Sequence, residues 1–162
     1  MWGRNKKVAV EAGAAAPSFQ LKNLSGAAES LEDILAKGPA LLAFYKISCP
    51  VCQLTFPYLE RLSASKSMQT IGISQDDKSS TQEFNQRFGV TFPTLLDQSK
   101  EGYPASNAFG ITSVPSLFLV EPGGNIAKSF SGFSKRDMEA LGQLAGVRVF
   151  QPEDNVPEWK AG

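Results

Sequence analysis

The sequence predicts an α/β domain built as a three-layer sandwich, in which helices cover both faces of a central mixed β-sheet. Two observations lead to this fold class. Strand-like apolar runs alternate with segments of helical spacing along most of the chain, an order typical of strands joined by helices. The last two strand-like runs are separated only by a turn at 121–124, which predicts an antiparallel hairpin and hence a sheet of mixed direction.

The elements of the first half follow from local patterns. Phe19 and Leu21 alternate with polar neighbours, which predicts a short strand before a turn. Residues 30–37 begin with a serine suited to an N-cap, continue with acids in the first turn and end in lysine, which predicts a short helix. The uninterrupted apolar run 40–45 predicts a central strand that is covered on both faces.

The remaining elements follow in the same way. Apolar residues at helical spacing predict a helix over 53–65, which Pro57 should kink. Phenylalanines four residues apart predict a helix over 80–88, and a cap at Ser134 predicts another over 135–144. The other predicted elements are strands at 68–73, 94–96, 117–120 and 126–130 and a short helix at 105–109.

The predicted domain spans residues 16–150, with a flexible N-terminal lead-in at 1–15 and a C-terminal tail at 151–162. The lead-in is basic but no apolar run follows it, so we expect neither a signal peptide nor a membrane segment in the chain as given. This favours a cytoplasmic location as written, and an exported or membrane-anchored one if the start is a truncation. The tail contains two prolines and mixed charge.

Composition narrows the possible chemistry. Sixteen basic residues balance sixteen acidic ones, so we expect no nucleic-acid partner and no attraction to anionic membranes. The chain has no histidine, which excludes Cys-His nucleophile pairs and imidazole metal sites. Its only two cysteines cannot supply the four ligands of a structural zinc site. We therefore expect no metal and no bound cofactor.

The two cysteines form a C-x-x-C motif, with Cys49 and Cys52 enclosing Pro50 and Val51. Cys49 follows a buried strand at the start of a helix, where unpaired backbone N–H groups stabilise a thiolate. Pro50 suits the first helical turn, and Cys52 one turn on could attack a disulfide formed at Cys49. Lys46 is the nearest positive charge in sequence and a candidate for lowering the Cys49 pKa further.

The segment from Phe44 to Cys52 resembles the part of the thioredoxin superfamily in which an aromatic-rich strand leads to the C-x-x-C motif. Val114 and Pro115, just before a predicted strand, resemble the cis-proline loop of that superfamily. The resemblance implies a thioredoxin-like fold and a loop that packs against the disulfide and pairs with substrate backbone. The candidate substrate-binding residues are Val114, Pro115, Pro50 and Val51.

Longer segments resemble TlpA/ResA-like and AhpC/TSA-type proteins, which implies an N-terminal β-hairpin extension. The resemblance covers residues 16–146, most of the chain, and rests on segments 16–21, 56–59 and 120–126. One departure bears on mechanism. Thioredoxin has a buried acid six residues before its first cysteine, whereas this chain has Ala43, so water or another acid must accept the proton of Cys52.

The resemblance implies a thiol–disulfide oxidoreductase in which Cys49 attacks and Cys52 resolves. The expected partners are a disulfide-containing protein or small-thiol substrate and an external dithiol reductant or oxidant, and a monomer is expected. One alternative is a peroxiredoxin-like peroxidase, although Tyr45 and Cys49 stand where that motif has proline and threonine. Another is a redox-inert binding module in which an apolar collar for a partner is formed by Tyr45, Phe92, Phe109 and Trp159, although core packing is favoured for the first three. Asp76 and Asp77 are interpreted as a solvated loop.

Overall fold

The structure is a computed structural model that describes residues 9–162, and strands and helices alternate in it as the sequence predicts. Two 3₁₀ turns lie at Ser99–Glu101 and Pro152–Asp154. The strands and helices in chain order are β1 (Gln20–Asn23), β2 (Ala28–Ser30), α1 (Leu31–Leu35), β3 (Ala40–Tyr45), α2 (Pro50–Leu62), β4 (Gln69–Ser74), α3 (Lys78–Phe88), β5 (Thr94–Leu96), α4 (Pro104–Ala108), β6 (Ser116–Val120), β7 (Ile126–Ser131), β8 (Phe133–Ser134), α5 (Lys135–Ala145) and β9 (Trp159–Lys160).

Seven of these strands form one mixed sheet in the order β2-β1-β5-β4-β3-β6-β7. Strand β3 is parallel to β4 and antiparallel to β6, and β6 is antiparallel to β7. Strands β1 and β2 form an antiparallel hairpin whose first strand pairs with β5. The mixed sheet and the N-terminal hairpin extension are both confirmed.

Two apolar clusters, one on each face of the sheet, complete the predicted three-layer sandwich. Helices α2, α3 and α5 contribute to one cluster, and α1 and α4 contribute to the other. Residues of β3 alternate between them, with Leu41 and Tyr45 in the first and Leu42 and Phe44 in the second. Because both faces of β3 are covered, the strand is apolar throughout rather than at every second position.

Helix α2 begins at Pro50, three residues earlier than the predicted helix over 53–65. Cys49 is its N-cap, with extended backbone angles (φ −85°, ψ 112°), and Pro50 occupies the first turn, where a missing N–H has no cost. The helix continues through Pro57 to Leu62. The start of α2 therefore falls within the C-x-x-C motif itself.

Parts of the segments predicted as lead-in and tail are hydrogen-bonded to the domain. Residues 1–8 of the predicted lead-in lie outside the described residues. Val10 donates its N–H to the carbonyl of Phe109 at 3.0 Å, and Ala15 bridges to Asn125. At the other end, β9 pairs with β8. These main-chain contacts join positions that are far apart in the chain, so no local sequence pattern predicts them.

Within residues 9–162, none of the helices has the length and apolar character required to cross a membrane.

Candidate active site

Cys49 lies at the point where β3 gives way to α2. Its Sγ accepts a hydrogen bond from the backbone N–H of Cys52 at 3.2 Å. This contact is an N-cap interaction in which sulfur replaces the usual hydroxyl oxygen. The positive end of α2 therefore faces the sulfur of Cys49.

The loop before β6 closes over the same sulfur. In its protonated form, the thiol of Cys49 donates to the backbone carbonyl of Val114 at 3.3 Å, across 65 residues of sequence. The peptide bond between Val114 and Pro115 is cis, as the resemblance to the cis-proline loop implied. The structure thus brings Val114 and Pro115 beside Cys49, while Pro50 is exposed at the helix start and Val51 is buried in the core.

The pKa of Cys49 is lowered to about 6. The largest cause is a hydrogen bond from the Cys52 thiol, which stabilises the thiolate and outweighs the opposing effect of burial. The backbone N–H groups of Cys52 and Val51 lower the pKa further, and the charge of the exposed Lys46 adds to them. The thiolate at Cys49 therefore predominates at neutral pH.

Cys52 has the opposite environment. It is fully buried, and burial is the main cause that raises the pKa of its thiol far above the ordinary range. Its hydrogen bond to Cys49 and the negative charges of Cys49 and Asp76 act in the same direction. The cysteines are not joined by a disulfide in this structure, so the pair consists of one half-buried, acidic thiol and one buried, protonated thiol.

The turn between β3 and Cys49 is held by side chains that the sequence patterns did not single out for this role. The half-buried Asp76 accepts the N–H of Ile47 at 2.8 Å, and Gln53 donates to the carbonyl of Ile47 at 3.0 Å. Asp77 instead caps α3 by accepting the N–H of Ser80 at 2.8 Å. Asp76 is thus part of the framework around the cysteines rather than a solvated loop residue.

Three of the four residues considered for an apolar collar belong to the core, as predicted, and the fourth is exposed. Tyr45, Phe92 and Phe109 are buried, and the hydroxyl of Tyr45 donates to the side-chain oxygen of Asn85 at 2.7 Å. Trp159 is 63% exposed. Its strand, β9, runs beside the candidate site rather than into the core.

Among residues 9–162, the His, Cys, Asp and Glu side chains form no group of three or more that could hold a metal ion.

A family model described as the AhpC/TSA family matches residues 12–129. The chain is 31% identical over 139 residues to the thiol-disulfide oxidoreductase ResA of Geobacillus thermodenitrificans (strain NG80-2), covering 83% of this chain and 78% of the relative. It is 33% identical over 142 residues to the thioredoxin-like protein YneN of Bacillus subtilis (strain 168), covering 83% and 80% respectively.

The fold is also shared with solved structures. A putative thiol:disulfide interchange protein DsbE from Chlorobium tepidum superimposes with a TM-score of 0.72 at 25% identity, covering 83% of this chain and 94% of that one. The similarity therefore extends from the sequence to the fold.

Proposed function

The chain belongs to the AhpC/TSA family and has a thioredoxin-like fold, and from this premise we propose that it is a thiol–disulfide oxidoreductase that works through Cys49 and Cys52. The observation that carries the proposal is the contrast between the two thiols. Cys49 is half-buried with a pKa of about 6, whereas Cys52 is fully buried with a raised pKa. Cys49 is therefore suited to attack a disulfide, and Cys52 is suited to react only after a mixed disulfide has formed at Cys49.

In the first step, the thiolate of Cys49 attacks one sulfur of a substrate disulfide. A new S–S bond forms at Cys49, the substrate S–S bond breaks, and the leaving thiolate takes a proton from solvent. The backbone N–H groups at the start of α2 hold the thiolate before attack.

In the second step, Cys52 attacks the sulfur of Cys49 in the mixed disulfide. Cys52 loses its proton, the Cys49–Cys52 bond forms, and the second substrate sulfur leaves as a thiol after protonation. Overall, two electrons pass from the two cysteines to the substrate disulfide, one proton comes from Cys52 and one from solvent, and an external dithiol restores the centre by the reverse exchange. Formation of the mixed disulfide removes the Cys49 thiolate, one of the charges that raise the Cys52 pKa.

The loop at Val114 and Pro115 is the proposed site for substrate backbone. The Val114 carbonyl lies within hydrogen-bond distance of the attacking sulfur, so a chain paired along this loop would present its disulfide to Cys49. Protein disulfides and small disulfides are both candidate substrates.

A peroxidase function is disfavoured by the environment of Cys52, the cysteine that would have to react with peroxide. The peroxidatic cysteine of the peroxiredoxin pattern corresponds to Cys52, which is fully buried and has a raised pKa. Tyr45 stands where that pattern has proline, and its hydroxyl donates to the buried side chain of Asn85. A thiol that is buried and protonated is a poor nucleophile toward peroxide.

The proposal is tested by reacting the reduced protein with glutathione disulfide and identifying the products by mass spectrometry. We expect the unaltered chain to form an intramolecular disulfide with release of two glutathione molecules. Cys52→Ser should stop at a glutathione adduct on Cys49, and Cys49→Ser should form neither product at a comparable rate. Equal rates for Cys49→Ser and the unaltered chain would remove Cys49 from the mechanism.

The direction of electron flow follows from the reduction potential of the pair. The Cys49 pKa of about 6 lies between the values of about 7 for thioredoxin and about 3.5 for DsbA. Since a stabilised thiolate favours the reduced form, we expect a potential between about −270 mV and about −120 mV. Equilibration against glutathione, with Cys49→Ser as a blank, measures it.

A further inference from the structure

The C-terminal segment, defined as residues 157–162, runs along the edge of the candidate site. Its strand β9 pairs antiparallel with β8, with Trp159 opposite Ser134 and Lys160 opposite Phe133. The carbonyl of Glu158 also accepts the backbone N–H of Lys135 at 3.0 Å. These bonds direct the rest of the segment toward the loop before β6.

Two close approaches place this segment on the loop. Gly132 has φ +74°, and a Cβ there would collide with the carbonyl oxygen of Lys160. The N–H of Gly132 donates to the carbonyl of Pro115 at 2.9 Å, so the segment crosses a turn that is itself joined to the loop. A Cβ at Gly162 would collide with the carbonyl oxygen of Val114 and come within 3.3 Å of the Pro115 ring.

The Val114 carbonyl is therefore shared between two neighbours. The sulfur of Cys49 lies 3.3 Å from it and donates to it when protonated, and the backbone of Gly162 packs against it. An extended chain already lies at the place beside the cis-proline loop where substrate backbone is proposed to pair. Cys49 itself stays half-buried rather than covered.

We propose that the C-terminal segment selects the size of the substrate, an inference that rests on the proposed function. With the segment in place, a small disulfide such as glutathione disulfide reaches Cys49, but an extended polypeptide has no free loop to pair with. A protein disulfide reacts only after the segment has moved away from Val114.

The contacts that hold residues 157–162 on the domain are weak enough to open locally. Residues 157–162 are exposed, and the Lys135–Glu158 ion pair is long, at 3.7 Å. Just before the segment, Arg61 holds Asp154 through two hydrogen bonds of 2.6 and 3.1 Å. The segment can therefore leave the loop while its base stays fixed, since few buried apolar contacts resist such an opening.

Trapped intermediates give the first test. The Cys52→Ser chain is converted to the mixed disulfide of Cys49 with glutathione, or to that with an extended cysteine-containing peptide. Hydrogen exchange is then compared at the Lys135 amide, which is bonded to Glu158. We expect protection to persist in the glutathione adduct and to fall about tenfold or more in the peptide adduct.

Equal protection in both adducts would overturn the role of the segment. Failure of the glutathione adduct to form at Cys49 would instead count against the proposed function, so the two failures are distinguishable.

Kinetics give the second test without altering the cysteines. Gly162→Val should push the segment off Val114, whereas Gly123→Val places the same side chain where no atom lies within 4 Å. If the segment covers the loop in about 90% of molecules, its release raises kcat/KM for a peptide disulfide about tenfold. The value for glutathione disulfide should change less than about twofold.

An equal change for both substrates, or no change in a Gly162→Val protein whose Lys135 amide has lost protection, would refute size selection. Gly123→Val should match the unaltered chain with both substrates.

Discussion

The dependence of the Cys49 pKa on the thiol of Cys52 can be tested by comparing Cys52→Ala with Cys52→Ser. The hydrogen bond from Cys52 is the largest cause of the lowered pKa. Alanine removes that donor, whereas serine keeps one. Both variants retain the backbone N–H groups of residues 51 and 52. We therefore expect the pKa of Cys49 to rise from about 6 toward the ordinary value of about 8.5 in Cys52→Ala, and to rise less in Cys52→Ser.

The expected change in the reaction rate of Cys49 follows from the fraction of thiolate at each pH and from the reactivity of that thiolate. At pH 7 a pKa of 6 gives about 90% thiolate and a pKa of 8.5 gives about 3%. The more basic thiolate is intrinsically about tenfold more reactive, from a Brønsted coefficient of about 0.4–0.5. If Cys52→Ala raises the pKa of Cys49 all the way to about 8.5, Cys49 of the unaltered chain should react about threefold faster than Cys49 of the variant at pH 7 and about twentyfold faster at pH 5.5. At pH 9 it should react about tenfold more slowly than in the variant.

The assay is alkylation of Cys49 by iodoacetamide across this pH range, with the modified peptide identified by mass spectrometry. The rate profiles of the unaltered chain and Cys52→Ala should cross between pH 7 and pH 9, and the midpoint of Cys52→Ser should lie between the other two. A Cys52→Ala midpoint equal to that of the unaltered chain would refute the reasoning, because the backbone donors alone would then account for the low pKa.

Three further predictions concern stability and are measured by urea unfolding. Tyr45→Phe removes the donor to a buried amide and should cost about 1–3 kcal/mol. Phe56→Ala opens a cavity in the core and should cost about 3–5 kcal/mol, whereas the exposed Leu144→Ala should change stability by less than about 0.5 kcal/mol. Asp76→Ala leaves the N–H of Ile47 without its acceptor and should cost about 1–3 kcal/mol, while Asp76→Asn, which keeps an oxygen acceptor, should cost less. A Tyr45→Phe or Asp76→Ala protein as stable as the unaltered chain would contradict the contribution of the hydrogen bond concerned. Equal losses of stability in Phe56→Ala and Leu144→Ala would contradict the difference in burial between these two side chains.

The amino-acid sequence by itself determined the fold class and the C-x-x-C motif. The buried strand β3, the C-x-x-C motif and the helix after it are contiguous in the chain, and their patterns depend on periodicity and capping within one or two elements. The absence of histidine and the presence of two cysteines three positions apart are also evident from the sequence, and they direct attention to the thiols. A cis-proline beside Cys49 was expected from resemblance and is present.

Only the tertiary structure decided what surrounds those thiols. The bond from Cys49 to Val114 spans 65 residues, and that from Ile47 to Asp76 spans 29. The pairing of β9 with β8 turned a predicted tail into a segment that lies on the candidate substrate loop. Such contacts use backbone groups or single side chains and impose no periodicity on sequence. They form because closing the sheet and packing its helices bring distant loops to the same edge.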